Sequence, residues 1–134
     1  MVIRNGLRTL LVLWAGSLWS LAAWVAPTLF YAQADRHLAG VLAARLFAIE
    51  TYVGIAVALV AASLPGRRKF KWGFAAALLL AADQWALRPI MDAAHDRGSA
   101  AGLSFGAWHG VSAVLYLLAC CAVLRLVWRE EHPW

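Results

Sequence analysis

An all-α fold of four membrane-crossing helices packed as a bundle, with both termini cytoplasmic, follows from three observations. The first is composition: 63% of the 134 residues are hydrophobic and the mean hydropathy is +0.69. Soluble domains carry about half apolar residues, so this chain is too apolar to be one. The second is length: crossing roughly 30 Å of hydrocarbon takes about 20 residues of helix, and Leu7 to Tyr31, Leu38 to Leu64, Trp72 to Ala94 and Leu103 to Trp128 all reach it. Little chain is left over, so residues 1–134 read as one integral membrane domain.

The third observation is where the cations fall. Arg4 and Arg8 precede the first run, Arg67, Arg68, Lys69 and Lys71 fill the second loop, and Arg125 and Arg129 close the fourth run. Only Arg36 and Arg97 lie in the opposite loops. Cytoplasmic loops are the ones enriched in lysine and arginine, so both termini and the Pro65 to Lys71 loop are expected in the cytoplasm. The formal charge of +5 therefore points to membrane orientation. No aromatic platform accompanies these charges outside the lipid, and nucleic acid is not an expected partner. The expected partners are the lipid bilayer, other membrane proteins or a second copy of the chain.

Each run has its own signals. The first resembles a signal peptide but is too long for one, and Pro27 stands where cleavage would be sought. It reads as a permanent span. Gly16, Ser20, Ala23 and Pro27 recur at helical spacing, a smooth stripe for close helix packing. Pro27 removes the donor for the Ala23 carbonyl, so a modest kink is expected. Gln33 to His37 is an outer turn, and Pro65 with Gly66 stops the second span. Phe70, Trp72 and Trp128 are placed in an inner aromatic belt, and Phe30, Tyr31, Phe105 and Trp108 in an outer one. His95 to Ala101 forms the third loop around Gly98. Gly106 and Gly110 have the GxxxG spacing of a close helix contact. Cys120 and Cys121 are adjacent, point about 100° apart and read as core-filling residues.

Pro27 and Pro89 are 62 residues apart, as are Ala39-Gly40 and Ala101-Gly102. This spacing reads either as two copies of a helical hairpin in one orientation or as coincidence in a chain rich in alanine and glycine.

The residues a bilayer tolerates least are Arg45, Glu50, Asp83, Gln84, Arg88, Asp92 and His109. At about 1.5 Å rise per residue, Glu50 and Asp83 share a level near the bilayer centre. Arg45, Arg88 and His109 share one nearer the outer surface. The seven are expected to form one buried polar network across three helices. Gln84, Arg88 and Asp92 make one stripe, with Arg88 in reach of Asp92, whereas Asp83 and Glu50 need partners on other helices. Paired charges of this kind fix helix register. Ionisable groups inside a span are equally candidates for a functional site such as a proton or ion relay.

No HExxH, GxSxG, GxxxxGK[ST] or GxGxxG pattern is present, so no catalytic residue and no enzymatic activity are expected. His37, His95 and His109 all fall in the outer half, and imidazole is a common metal ligand. Their spacing matches no recognised site, so no metal or other cofactor is assigned.

Several residues together resemble a known family. Trp14-Ala15-Gly16, Val25 to Phe30 with its Pro-Thr-Leu-Phe ending, Ala39-Gly40, Phe47 with Glu50, Pro89 and His109-Gly110-Val111-Ser112 are similar to the transmembrane-protein-205-like domain of unknown function, in its small bacterial form. The resemblance implies a four-span protein of the bacterial cytoplasmic (inner) membrane. It implies no reaction and no functional residues.

Function is therefore read as that of a small accessory or scaffold-like membrane protein held by a buried charged network. The alternatives are a proton- or ion-coupled transport element using Glu50 and Asp83, or a metal-binding membrane protein.

Overall fold

Pro27 and Pro89 shape the two helical runs that contain them, and they do so identically. Proline has no N–H and its ring crowds the preceding turn. In each run the helix accommodates this with a π-helical turn just upstream. The computed structural model of the chain describes residues 2–65 and 67–131. In it α1 (Val2–Ser20) passes through a π turn, Leu21–Val25, into α2 (Ala26–Ala32). After α3 (Arg36–Ser63) and a 3-10 turn, Arg67–Phe70, α4 (Lys71–Ala82) passes through a second π turn, Asp83–Leu87, into α5 (Arg88–Arg97). The two π turns have the same length and lie 62 residues apart. Each closes on a bond across five residues, Ala26 N–H to Leu21 O and Arg88 N–H to Asp83 O. The kink expected at Pro27 thus takes the form of a π turn.

A short hairpin leads into α6 (Phe105–Glu131). Gly98 ends α5 at φ 83°, and β1 (Ser99–Ala100) pairs antiparallel with β2 (Leu103–Ser104). The two linking residues, Ala101 at φ 48° and Gly102 at φ 81°, both have positive φ, as a tight two-residue hairpin requires. At the other end of the second run Asp35 caps α3, its Oδ1 accepting from His37 N and Leu38 N. That bonding satisfies donors a helix N-terminus otherwise leaves free. The stop expected at Pro65-Gly66 coincides with the end of α3, although Gly66 itself lies outside the described residues.

The fold is all-α apart from this β hairpin. Three stretches are long and apolar enough to cross a membrane: Val2–Ala32, Arg36–Ser63 and Phe105–Arg129. Trp72 to Ala94 is helical too, but Asp83, Gln84, Arg88 and Asp92 make it too polar to stand with the other three.

The helices meet in a ring: α1 packs on α3, α3 on α4, α4 on α6, and α6 on α1. The core is at the end of the ring that carries the basic loops. Leu11, Trp14 and Leu18 of α1, Leu80 of α4, and Cys120, Val123 and Leu126 of α6 are essentially inaccessible. Their spacing of three and four residues is that of one helix face. Beyond the π turns the packing loosens. α2 leans on α3 and α5 on α6, with no extensive contact between the two hairpins there. α2 buries no residue and α5 buries only Ala94.

Several sequence expectations about packing are corrected. Gly16, Ser20, Ala23 and Pro27 are exposed, and a Cβ at Gly16 would meet nothing within 4 Å. The Gly106–Gly110 face is exposed as well, so neither small-residue stripe packs a helix of this chain. Close approach occurs at Gly54 instead, where a Cβ would lie 3.0 Å from the Trp14 ring and 3.1 Å from Leu80. Phe70 is a buried core residue packed edge-on against Phe74, not part of an interfacial belt. Cys120 is buried but Cys121 is exposed, since neighbours on a helix face different ways.

Candidate functional site

The seven polar residues expected to form one network are not gathered into one. Arg45, Asp92 and His109 are exposed, Glu50, Gln84 and Arg88 are half-buried, and Asp83 alone is fully buried at 8%. Among the described residues no ion pair joins Asp83 or Glu50 to an arginine, and Arg88 does not bond Asp92. The reason is geometric. Glu50 turns to Ser17 of α1 while Asp83 opens the second π turn beside α6, and Arg45 and Arg88 lie towards the loosely packed half of the ring. Arg45 faces away from the neighbouring helices, where its long stem can carry the guanidinium towards the membrane surface.

What the structure builds instead is two separate acid and hydroxyl sites. In the first hairpin the Ser17 hydroxyl donates to Glu50 Oε2 at 3.1 Å while also lying 2.9 Å from the Trp14 carbonyl. In the second, Ser112 of α6 stands beside the Asp83 carboxyl, with Arg88 and His109 further away. Glu50 and Ser112 are 62 residues apart, so the acid and the hydroxyl have exchanged helices between the two hairpins.

Two further hydroxyls tie the hairpins together. Tyr116 Oη donates to the Leu18 carbonyl at 2.8 Å, and Thr51 Oγ1 lies 3.5 Å from the Leu80 carbonyl and 3.1 Å from that of Phe47. Leu18 and Leu80 are again 62 residues apart, each three residues before its π turn. The α3 helix of the first hairpin thus reaches the second, and α6 of the second reaches the first. The π turns and the buried face Trp14, Ala15, Leu18 and Leu21 against Ala76, Ala77, Leu80 and Asp83 obey one offset, which favours the duplicated-hairpin reading of the sequence over coincidence.

Ser17, Thr51, Ser112 and Tyr116 carry little signal as site residues in sequence, because a hydroxyl in an apolar helix most often bonds its own backbone. The signal for Ser112 was present in its 62-residue separation from Glu50.

The Asp83 site differs from the Glu50 site in being incompletely paired. Asp83 Oδ1, Gln84 Oε1 and Arg88 Nε are buried without hydrogen-bond partners. Such groups are uncommon in folded proteins and call for a reason.

Metal binding by His37, His95 and His109 is not supported by geometry. His37 is in the first turn of α3, while His95 and His109 flank Phe105, with ring centroids 5.2 and 6.1 Å from it. Among the described residues no three His, Cys, Asp or Glu side chains are placed to hold a metal ion. A groove of about 410 Å³ runs along α2, lined by Trp24, Val25, Thr28, Leu29, Ala32 and Gln33. Its walls are mostly apolar and include none of the acidic residues, so it belongs with the lipid-facing surface and not with the chemistry.

Comparison of the chain with curated proteins and with solved structures finds no match. A family model described as a domain of unknown function (DUF4149) matches residues 9–131. The match does not carry the narrower transmembrane-protein-205-like name or the bacterial form. With nearly the whole chain covered, from within α1 to the end of α6, this protein belongs to the DUF4149 family.

Proposed function

We propose that the chain is a small four-span bundle of the bacterial cytoplasmic membrane, with both termini cytoplasmic and Trp72 to Ala94 as its fourth span. In this reading it serves as a non-catalytic accessory or scaffold-like membrane protein. The observation that carries the reading is the reciprocal pair of hydroxyl bonds, Tyr116 to Leu18 and Thr51 to Leu80. Helices in lipid lack the hydrophobic drive that joins them in water, and interhelical hydrogen bonds and close packing take its place. Here the side chains that reach across helices hold backbone, which secures a shape. The lipid bilayer is one partner, and the exposed apolar faces suit other membrane proteins or a second copy of the chain.

The test replaces Asp83 and Arg88 together with leucine. A folded protein that retains its cellular role is the expected result. Normal folding with loss of that role favours the second reading, a proton- or ion-coupled element. That alternative is motivated by the unpaired Asp83 Oδ1, since ionisable groups within a span are functional candidates. Glu50, already paired with Ser17, is the weaker of the two carboxylates for such a role.

A further inference from the structure

The two hairpins share a framework but not its polar residues. Under the 62-residue offset, Asp83, Arg88 and His109 stand where the first hairpin has Leu21, Ala26 and Phe47. Leu21 is as buried as Asp83, at 5% against 8%, and occupies the same first position of a π turn. The first hairpin therefore builds this turn with apolar side chains alone. Helix packing does not account for an aspartate at position 83, and a second reason is needed.

The groups around Asp83 indicate what that reason is. Its Oδ1 accepts and Arg88 Nε donates, both are buried, and neither has a partner. Ser112 supplies a hydroxyl that both donates and accepts. An acceptor and a donor stand together here, so neither a metal cation nor an anion alone is the complement. The complement of such a set is a small neutral molecule that donates and accepts at once, which is water.

Access is one-sided. Towards the basic loops the way is closed by Leu80, Ala119 and Val123, none more than 2% exposed. Towards the other end α5 packs on α6, without extensive contact to the first hairpin. On that side Asp92 and His109 are exposed and Arg88 and Ser112 half-buried. Arg88 and Asp92 are four residues apart on α5, as a shared helix face requires.

We propose that Asp83 is the closed inner end of a hydrated inlet between the hairpins, opening past Asp92 and His109, in which Asp83, Arg88 and Ser112 hold water. The proposal rests on the four-span placement given above and assigns the polar residues of the third helical run a task beyond holding helices.

Cysteine labelling tests it. In a chain carrying Cys120→Ala and Cys121→Ala, Ser112→Cys is compared with Glu50→Cys, its counterpart in the first hairpin. Ala34→Cys, in the exposed turn before α3, marks one membrane face. The probe is a membrane-impermeant maleimide added to one face at a time. Both positions are half-buried, so a difference reads access to water: Ser112→Cys is expected to react from the face that Ala34→Cys marks, about tenfold or more faster than Glu50→Cys, the margin a small opening free energy produces. Reaction from the opposite face, from both faces, or no faster than Glu50→Cys overturns the inlet. If Ala34→Cys reacts from the cytoplasm, the proposed orientation fails, and the inlet is still judged by whether Ser112→Cys shares that face. Should Ser112→Cys not fold, hydroxyl-radical footprinting by X-ray radiolysis of the unmodified protein decides. Bound water predicts oxidation of Leu87, in the Asp83 turn, in excess of Leu21; equal or absent oxidation overturns the proposal.

Discussion

The Tyr116 hydroxyl donates to the Leu18 carbonyl at 2.8 Å, joining α6 to α1 across 98 residues of sequence. The bond sits where α1 is about to enter its π turn, and the ring around it packs edge-on against Phe47 at 4.8 Å. One side chain therefore holds three helices.

Tyr116→Phe keeps the ring contact and removes only the hydroxyl. Interhelical hydrogen bonds in membranes contribute roughly 0.6 kcal/mol on average and up to about 1.7. Because the Leu18 carbonyl then loses its donor in a buried setting, a loss near the upper figure is expected, read from reversible unfolding in mixed micelles. A stability equal to the parent protein would show that the bond contributes nothing.

Gly54, where α3 meets Trp14 of α1 and Leu80 of α4, is predicted to tolerate no large side chain. Gly54→Leu drives a side chain into Trp14 and Leu80, and overpacking of this kind typically costs about 1–3 kcal/mol. Gly16→Ala and Gly110→Ala, whose added Cβ atoms meet nothing within 4 Å, should be neutral. Thermal unfolding of the three variants in one detergent ranks them, and an intolerant Gly16 or Gly110 would locate the close packing elsewhere.

Asp35 caps α3 through two backbone N–H groups. Asp35→Ala should lower stability by about 1 kcal/mol, whereas Asp35→Asn, another good capping residue, should recover most of it. Amide exchange at His37 and Leu38 reports the cap directly. Unchanged protection in Asp35→Ala would contradict it.

Ala101 holds φ 48° without being glycine, and the left-handed region costs an L-residue about 1–2 kcal/mol. Ala101→Gly should stabilise the hairpin, with the gain reduced by the greater freedom of glycine in the unfolded chain. A β-branched residue there should do the opposite. Limited proteolysis of the Gly98 to Ser104 segment compares Ala101→Gly with Ala101→Val; equal cleavage would rule out the positive φ.

The sequence by itself determined the helical class, the long apolar runs to within a few residues of their ends, and a 62-residue offset that ties Pro27 to Pro89. Those follow from local causes: apolar length, turn residues, a capping Asp35 and the missing N–H of proline. The sequence missed the β hairpin before α6, where Leu103 reads as the start of a span. Only the tertiary structure decided which polar residues meet. Arithmetic along each helix placed Glu50, Asp83, Arg45, Arg88 and His109 by depth, but depth leaves rotation about the helix axis open. Each π turn inserts extra winding that shifts every later side chain around that axis. Partnership between helices depends on that rotation, so Glu50 meets Ser17 and Tyr116 meets Leu18, while the arginines are left on the loosely packed half.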